Sequence, residues 1–404
     1  MGRDRLRHVT LWIALLSVLA VLGSGLVAEA HREATDPGNS DAIAFAAGAH
    51  LVLADPQQLY DPAAQQRVEA ELLKIPQATG FIDPFTNLAA GAVLLSPLAR
   101  VSLRTGSEIE VVAAVLLMCG ALLVAIRLFS PETSPLLKVL IAGSAVFSVP
   151  AVSALIQWDA LMLVALLGSV LLAERRHHGW AGVLLATLIL KPQVVWLVFP
   201  ALAAARSWRY LGGLLLGAAG WFGMSVIVAG PQSIVALGQL IALSYPAQAD
   251  NSVGLPSLVS ALTGSGVSGF VAGAGFGVLA TALLFWRRNV LRDRPVVAVA
   301  LGIVLSVLCS PHVNAEDLML VALPVVLIAR HRPLLALGEA LAVSLAGLAQ
   351  LQLPMVYRHL ELFVLLAVAL SLLLIRPVQR TSLARKPSRP PRLRVASDAS
   401  MRLT

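Results

Sequence analysis

Apolar segments recur along most of the chain and alternate with short polar stretches. Val9 to Val27, Val111 to Ile126 and Leu211 to Ala229 are examples, and each approaches the ~20 residues that a helix needs to cross a bilayer. Several of the stretches between them contain Pro, Gly or charged residues, which end or kink an apolar helix. The pattern predicts an all-α, polytopic bundle of transmembrane helices.

The overall composition agrees with this interpretation. Of the 404 residues, 58% are hydrophobic and 13% are charged, whereas a soluble domain has about 25% charged residues. This difference excludes a water-soluble globule. The two cysteines, Cys119 and Cys309, both lie in apolar runs, so their spacing predicts no disulfide framework.

The positive charge of the chain is concentrated at its C-terminal end. Residues 376–404 contain eight Arg or Lys side chains and one Asp, so they account for +7 of the formal net charge of +8. This segment is also rich in Pro and Ser, which is typical of a disordered tail. An anionic leaflet attracts basic residues at about 1 kcal/mol each, so we expect a cytoplasmic tail on membrane lipid and no nucleic-acid partner. Residues 1–375 then form one integral membrane domain.

The charges that flank the apolar runs predict the orientation of the helices. Arg3, Arg5 and Arg7 precede the first run, which is too long for an ordinary signal-peptide core. The N-terminus should therefore be cytoplasmic. With both termini in the cytoplasm, the chain crosses the inner (plasma) membrane an even number of times.

Two segments are ambiguous in this count. Asn87 to Leu103 is interrupted by Ser96-Pro97, and Trp180 to Ala205 is broken by Lys191-Pro192. If the first is a crossing and the second is one kinked helix, four basic residues lie outside: Arg127, Lys138, Arg175 and Arg176. If the first is a surface helix and the second is two short passes, those four lie inside, and Arg100 and Arg104 lie outside instead. The positive-inside rule favours the second scheme.

The favoured scheme has about 12 passes. Their approximate bounds are 9–27, 109–129, 136–155, 159–173, 179–190, 193–205, 210–229, 266–286, 295–309, 316–329, 333–352 and 359–375. A long extracytoplasmic loop, 28–107, follows the first pass. Within this loop, 41–54 and 62–74 are predicted to be amphipathic helices.

Polar residues that interrupt or end the apolar runs collect on the outer face in this scheme. They include Asp41, Gln157, Asp159, Lys191 and His312. Because polar side chains near hydrocarbon usually face a bundle interior or a wet cavity, the sequence predicts a cavity at the outer membrane surface. Each residue taken alone also has a simpler interpretation. Lys191 can extend outward from a short helix end, His312 can be an ordinary helix-entry residue, and Asp41, Asp159 and Asp317 can cap helices.

Several short motifs follow one another along the chain. They are Ser40-Asp41-Ala42-Ile43-Ala44-Phe45 running to Leu59-Tyr60-Asp61, then Phe81-Ile82-Asp83-Pro84-Phe85, Ser96-Pro97-Leu98, Gln157, Leu190-Lys191-Pro192 and Ser310-Pro311-His312. In this order they resemble the bacterial GT-C glycosyltransferases, in particular family 87, the polyprenyl-phosphate-mannose-dependent mannosyltransferases. Three positions depart from the family pattern: Asp83 replaces a Tyr of the pattern, Ile156 replaces a Gly and Asp159 replaces an Asn.

The resemblance implies a GT-C membrane bundle that transfers a hexose, with mannose as first candidate, from a polyprenyl-phosphate donor to a glycolipid or glycan acceptor. The reaction would be inverting and extracytoplasmic. We expect Asp41 to be the general base, while His312 either binds phosphate when protonated or orients the acceptor or the base. The expected phosphate contacts are Lys191, Arg100 and Arg104, and the expected sugar or acceptor contacts are Gln157, Asp159, Tyr60 and Asn314. No cofactor or metal is expected.

A transporter or lipid flippase is the main alternative, since an even count of about 12 passes also suits a carrier. Carriers often contain internal repeats and bind substrate near the midplane. This sequence has no obvious repeat, and its unusual polar residues crowd one face. A membrane scaffold without chemistry fits the basic tail but leaves the outer polar residues unexplained.

Overall fold

The computed structural model describes residues 41–75, 84–148, 155–248, 252–352 and 360–374, together with isolated positions between 12 and 36. Several predicted features lie largely or wholly outside these described residues: the first pass, 9–27, the arginines before it, Asp83 and the basic tail, 376–404. Regular secondary structure in the described part of the chain is helical throughout, which agrees with the all-α prediction.

The helices, numbered here in chain order, are α1 (Ala42–Ala54), α2 (Pro62–Leu73), α3 (Ala89–Leu95), α4 (Leu103–Leu128), α5 (Pro135–Val146), α6 (Asp159–Glu174), α7 (His178–Leu185), α8 (Val198–Ala204), α9 (Trp208–Ala229), α10 (Ser233–Gln248), α11 (Leu255–Thr263), α12 (Gly266–Trp286), α13 (Arg288–Leu291), α14 (Pro295–Cys309), α15 (Ala322–Ala329), α16 (Pro333–Gln352) and α17 (Leu360–Leu374). Short 3₁₀ helices adjoin several of them: Pro56–Gln58, Ser96–Arg100, Ala186–Leu190, Pro192–Val194 and Ala315–Val321.

Three of the described helices are long and apolar enough to cross a membrane: α4 with 26 residues, α9 with 22 and α12 with 21. Large apolar side chains on these helices face outward, such as Leu116, Ile227 and Val278. Most of the other predicted passes correspond to apolar helices of 10–17 residues. At Lys191-Pro192, two 3₁₀ helices separate α7 from α8. The fold is therefore a helical membrane bundle, while the count of about 12 passes remains a prediction.

The ambiguous segment 180–205 forms two short helices that run in opposite directions. A Cβ added at Gly213 would overlap the backbone at Gly179, and one at Gly217 would overlap Val183. Residues of α7 therefore pack against residues of α9 in the same order, so the two helices run parallel. Because α7 and α9 begin at the same end of the bundle, the chain must come back to that end between them. The helix α8 therefore runs antiparallel to both. The segment is therefore two antiparallel helices and not one kinked helix, and that each of them crosses the membrane stays a prediction.

The other ambiguous segment, 87–103, is short and packed against the first loop. It forms α3, which has seven residues, followed by the five-residue 3₁₀ helix Ser96–Arg100. Twelve helical residues span only ~18 Å, against a hydrocarbon core of ~30 Å. Ser225 of α9 accepts a hydrogen bond from the backbone N–H of Ala90, at 3.1 Å. The segment is thus a short, broken helix, and its place at the membrane surface stays a prediction.

The bundle has two distinct ends. At one end, the side chain of Arg330 binds Glu174 and donates to the carbonyl of Leu128. These contacts bring together the last residues of α4, α6 and α15. At the other end, α6 begins and α14 ends, and the backbone N–H of Val253 donates to the carbonyl of Val313 at 2.6 Å. Most basic residues of the loops lie at the first end, and the candidate site lies at the second.

The first loop folds over this second end. Gln65 of α2 is fully buried, and its amide accepts from the N–H of Phe85 at 2.9 Å and donates to the carbonyl of Leu59 at 2.6 Å. The ring of Phe85 then packs on Phe45 of α1, with centroids 6.1 Å apart. Phe45 in turn packs on Trp158, with centroids 5.4 Å apart. These contacts fix α1 against the start of α6.

The amphipathic prediction is wrong for α1 and agrees with α2. Nine of the 13 residues of α1 are buried, and they cover all its faces because the helix is enclosed by α2, α3 and α4. In α2 the buried residues are Ala64, Gln65, Glu69 and Ala70, and the first three of them lie on one side of the helix. Asp61 caps α2, since its carboxylate accepts from the N–H groups of Ala63 and Ala64.

Candidate active site

A cavity of about 540 Å³ opens at the second end of the bundle. Its polar lining comes from Asp41, Thr86, Asn87, Gln157, Lys191, Gln193, Ser310, His312, Asn314 and Glu316. Its apolar lining includes Phe45, Trp196, Phe222, Leu237, Ile241 and Phe270. The cavity lining therefore combines polar groups with large apolar side chains, and the apolar part is called here the apolar wall.

Lys191 lines the cavity and is the centre of an ion cluster. Its Nζ lies 2.7 Å from Oδ2 of Asp159, 3.1 Å from Oδ1 of Asp317 and 3.7 Å from Oε1 of Glu316. The Asp159 and Asp317 side chains are 0% and 1% exposed. Three carboxylates thus surround one ammonium group, and buried charges of this kind persist only when they are paired.

Breaks in helices supply each member of the cluster. Lys191 has a non-helical backbone between the 3₁₀ helices Ala186–Leu190 and Pro192–Val194. Pro192 favours this break because it disfavours helical geometry in the residue before it. Asp159 is the first residue of α6, and Asp317 lies in the 3₁₀ helix Ala315–Val321. Oδ2 of Asp317 also accepts from the N–H of Asn314, at 2.9 Å. The aspartate is therefore held by two segments.

Glu316 occupies the boundary between this cluster and the cavity. It lines the cavity, and its side chain is 12% exposed. Asn314 Nδ2 donates to its Oε1 at 3.1 Å, the same oxygen that faces Lys191. The contacts orient the carboxylate of Glu316 from the protein side.

His312 lines the cavity beside these acids. Its backbone N–H donates to Ser310 Oγ at 3.5 Å, and its Nδ1 is buried without a hydrogen-bond partner among the described residues. Burial lowers the pKa of His312 from its ordinary value near 6.5, Asp317 opposes this shift, and the charge of Lys191 adds to it. The imidazole is therefore neutral at neutral pH. A neutral ring suits the orienting role better than the phosphate-binding role.

Asp41 lines the same cavity from the first loop. It stands at the N-cap position of α1, but its backbone is helical and its side chain makes no capping hydrogen bond. Asp41 and Glu316 both line the cavity, although they come from distant segments of the chain. The simpler interpretation of Asp41 as a helix cap is therefore wrong, because the carboxylate does not bind the first turn.

Residues 85–311, more than half of the chain, match the family model of glycosyltransferase family 87. The chain belongs to glycosyltransferase family 87. It is thus a GT-C type membrane glycosyltransferase, as the motif order indicated. Neither the curated proteins nor the solved structures that were searched contain a match to the chain.

The matched segment of this glycosyltransferase covers part of the cavity. It includes Gln157, Asp159 and Lys191 and ends at Pro311. Asp41 precedes it, and His312 and Glu316 follow it. The fold brings all of these residues to one end of the bundle, so the site draws on segments inside and outside the match.

The structure of the glycosyltransferase brings five of the predicted site residues to the cavity lining: Asp41, His312, Lys191, Gln157 and Asn314. Asp159 lies directly behind them, fully buried against Lys191. Tyr60 is buried outside the lining, where its hydroxyl donates to the carbonyl of Asn87 at 2.8 Å. Arg100 and Arg104 are exposed outside the lining, and Arg104 pairs with Glu108 at 3.1 Å.

Glu316 and the apolar wall are the parts of the site that sequence reasoning missed. The sequence Asn314-Ala315-Glu316-Asp317 follows Ser310-Pro311-His312 closely, so the density of polar residues there was a usable signal. Asp317 was interpreted as a helix cap, whereas its side chain pairs with Lys191 as well. The described residues contain no group of three or more His, Cys, Asp or Glu side chains arranged to hold a metal ion. The expectation of a metal-free site stays a prediction.

Proposed function

We propose that this family 87 enzyme transfers a hexose, with mannose as first candidate, from a polyprenyl-phosphate donor to a glycolipid or glycan acceptor. One observation carries the proposal: the lining of a single cavity combines ionisable groups with large apolar side chains. A lipid-linked sugar has the same two-part character. A water-soluble nucleotide sugar would have no use for the apolar wall.

The apolar wall supports entry of the lipid from the side. Phe222 of α9, Ile241 of α10 and Phe270 of α12 line the cavity and remain 38%, 36% and 58% exposed. Two of these helices, α9 and α12, are long enough to span the membrane. Aromatic and branched side chains at such an opening bind an isoprenoid chain through apolar contact.

Asp41 is the proposed general base. The acceptor hydroxyl oxygen attacks C1 of the donor sugar while its proton passes to the carboxylate of Asp41. The bond from C1 to the phosphate oxygen breaks, and the polyprenyl phosphate leaves with the electron pair. A single displacement of this kind inverts the configuration at C1. The neutral imidazole of His312 orients the acceptor or the base.

Lys191 is the proposed contact for the donor phosphate. It is the one Lys or Arg among the described residues that line the cavity. The phosphate would share its ammonium group with Asp159, Asp317 and Glu316. Arg100 and Arg104 lack the cavity-lining position that this role requires.

The cavity is proposed to face the extracytoplasmic side of the inner membrane, with both termini in the cytoplasm. Exposed basic residues at the opposite end of the bundle support this orientation, and they include Arg175, Arg176, Arg206, Arg287 and Arg288. Cytoplasmic loops carry an excess of Lys and Arg. A polyprenyl-phosphate sugar on the outer leaflet would then reach the apolar wall directly.

Transfer of label tests the proposal. The purified full-length protein would be incubated in lipid nanodiscs with radiolabelled polyprenyl-phosphate mannose and a membrane glycolipid fraction. The wild type should move label into glycolipid, and Asp41→Asn should abolish transfer without changing the melting temperature. Glu71→Gln, the same type of change on an exposed residue of α2, is the matched control. In a parallel assay in sealed vesicles, label that crosses the membrane while still attached to the donor would instead support a flippase.

A further inference from the structure

Two of the helices that are long enough to span a membrane have an exposed tryptophan next to an arginine at the basic end of the bundle. Trp208 is the first residue of α9, and Trp286 is the last residue of α12. Arg209 and Arg287 follow them in the chain, and the guanidinium carbon of Arg287 lies 4.9 Å from the centre of the Trp286 ring. Helices of 22 and 21 residues are ~32 Å long, close to the ~30 Å of a hydrocarbon core. Because tryptophan is enriched where hydrocarbon meets the headgroups, the two residues mark the headgroup level of one leaflet.

The turns beyond these helix ends lie against each other. After α13, the backbone N–H of Asp293 donates to the carbonyl of Ala205, which follows α8, at 3.4 Å. Arg292 and Arg206 are the chain neighbours of these two residues, and both are exposed. Two arginines from distant parts of the chain therefore start from neighbouring backbone positions. We call this pair, Arg206 and Arg292, the arginine junction.

The backbone of Arg206 has a conformation that normally belongs to glycine. Its φ is 57°, and the N–H of Ser207 donates to the carbonyl of Leu202 at 3.0 Å, which is a helix end where glycine is the usual residue. Arg176, after α6, has the same conformation with a φ of 66°. An unfavourable backbone that is retained points to a use for the side chain. Here that side chain is a guanidinium group at the headgroup level.

The positive charge around the junction is largely uncompensated. Arg292 has a loose contact with the exposed Asp293, at 3.9 Å. Four further exposed arginines form no ion pair with any described residue: Arg206, Arg209, Arg287 and Arg288. Guanidinium groups bind phosphate through paired hydrogen bonds, and a basic cluster beside a membrane favours headgroups with net negative charge.

We propose that the arginine junction, together with Trp208 and Trp286 at the adjoining helix ends, binds the phosphate group of an anionic phospholipid. The two guanidinium groups hold the phosphate, and the indole rings contact the lipid just below it. A bound lipid joins the turn after α8 to the turn after α13, so it stabilises the folded bundle. Neither arginine lines the cavity, so the site is independent of the proposed transfer.

Thermal unfolding of the full-length protein tests this site. The purified protein in dodecyl maltoside is heated with dioleoyl-phosphatidylglycerol, dioleoyl-phosphatidylcholine or inorganic phosphate. Phosphatidylglycerol should raise the melting temperature of wild type by about 2 °C or more, and the other two additives should raise it less. Arg206→Gln combined with Arg292→Gln should lose most of this increase. Arg67→Gln combined with Lys74→Gln is the matched control, because both residues are exposed on the first loop and Lys74 also has a positive φ, of 56°.

Three outcomes would overturn the inference. An equal increase with phosphatidylcholine would show that the negative headgroup is not recognised, and an equal increase with inorganic phosphate would show a free-anion site. A full increase in the double variant of the junction would place the lipid elsewhere. If that double variant does not fold, the single variants Arg206→Gln and Arg292→Gln should each lose part of the increase. A full increase in both single variants would again remove the site.

Discussion

The Nζ atom of Lys191 lies 2.7 Å from Oδ2 of Asp159, and both side chains are buried. The pair joins the break between α7 and α8 to the first residue of α6. Asp317 contacts the same ammonium group from the 3₁₀ helix after α14. One lysine therefore connects three segments at the wall of the cavity, and its charge matters for folding as well as for ligand binding.

Removal of the Lys191 charge should destabilise the protein. Lys191→Met leaves two buried carboxylates without their partner, and breaking a buried pair in this way costs about 3 to 5 kcal/mol. Thermal unfolding in detergent should show a clear fall in melting temperature. The double variant Lys191→Met with Asp159→Asn should recover part of the loss, because one of the unpaired charges is gone. Equal melting temperatures for wild type and Lys191→Met would contradict the structural role.

The same double variant separates phosphate binding from structural support. If Lys191 binds the donor phosphate, Asp159→Asn alone should bind donor at least as tightly as wild type, because one competing carboxylate is removed. The double variant should bind donor more weakly, by about 10-fold for the loss of one charged hydrogen bond. Binding of polyprenyl-phosphate mannose by the folded fraction is the measurement. Donor affinity in the double variant equal to that in Asp159→Asn would leave Lys191 with a structural role only.

Sequence alone predicted which residues are unusual but not how they pair. Lys191 and Asp159 both stand at breaks in apolar runs, and this placed them on one face of the membrane. Their direct contact depends on the antiparallel course of α7 and α8, which follows from tertiary packing. The pairing of Asp317 with Lys191 was likewise not predictable from the sequence, because a carboxylate at a helix start normally indicates a cap.

Helix bounds were predictable where local signals mark them. The pass predicted at 266–286 agrees with α12 (Gly266–Trp286), whose N-cap Ser265 accepts from the N–H of Ser268. The pass predicted at 316–329 is instead the 3₁₀ helix Ala315–Val321 followed by α15. The apolar pattern of this segment does not distinguish a 3₁₀ helix from an α-helix. The 3₁₀ helix goes with a tertiary contact, that of Asp317 with Lys191, which the pattern does not contain.

The pH dependence of transfer should reflect a neutral His312. Since burial lowers its pKa below 6.5, the imidazole is neutral at pH 7 and gains a proton only as the pH falls through the lowered value. Transfer that needs the neutral ring should stay constant between pH 8 and about 6.5 and decline below it. The measurement is kcat/KM against pH, in wild type and in His312→Gln. The variant should be less active than wild type at pH 7, and its kcat/KM should fall less at acidic pH because it has no imidazole to protonate. Activity that rises from pH 7 to pH 6 would instead require the protonated ring.

Gly277 of α12 should be essential for the shape of the apolar wall. A Cβ at this position would overlap the ring of Trp196, which lines the cavity. Gly277→Val should therefore displace Trp196 and weaken donor binding, with a packing penalty of about 1 to 3 kcal/mol. Gly275→Val is the matched control, because in the described part of the chain no atom beyond the neighbouring backbone of α12 lies within 4 Å of a Cβ there. Equal donor affinity in the two variants would show that Trp196 does not contact the lipid.

The proposed orientation of the cavity can be tested by labelling single cysteines. Glu71 lies on α2, in the loop that covers the cavity end, and Glu132 lies in the turn after α4, at the opposite end; both are exposed. In a background with Cys119 and Cys309 replaced by serine, a membrane-impermeant maleimide should label Glu71→Cys in intact cells. It should label Glu132→Cys only after permeabilisation, since the basic end is expected in the cytoplasm. The reverse pattern would place Asp41 at the cytoplasmic face, where an outer-leaflet donor could not reach it.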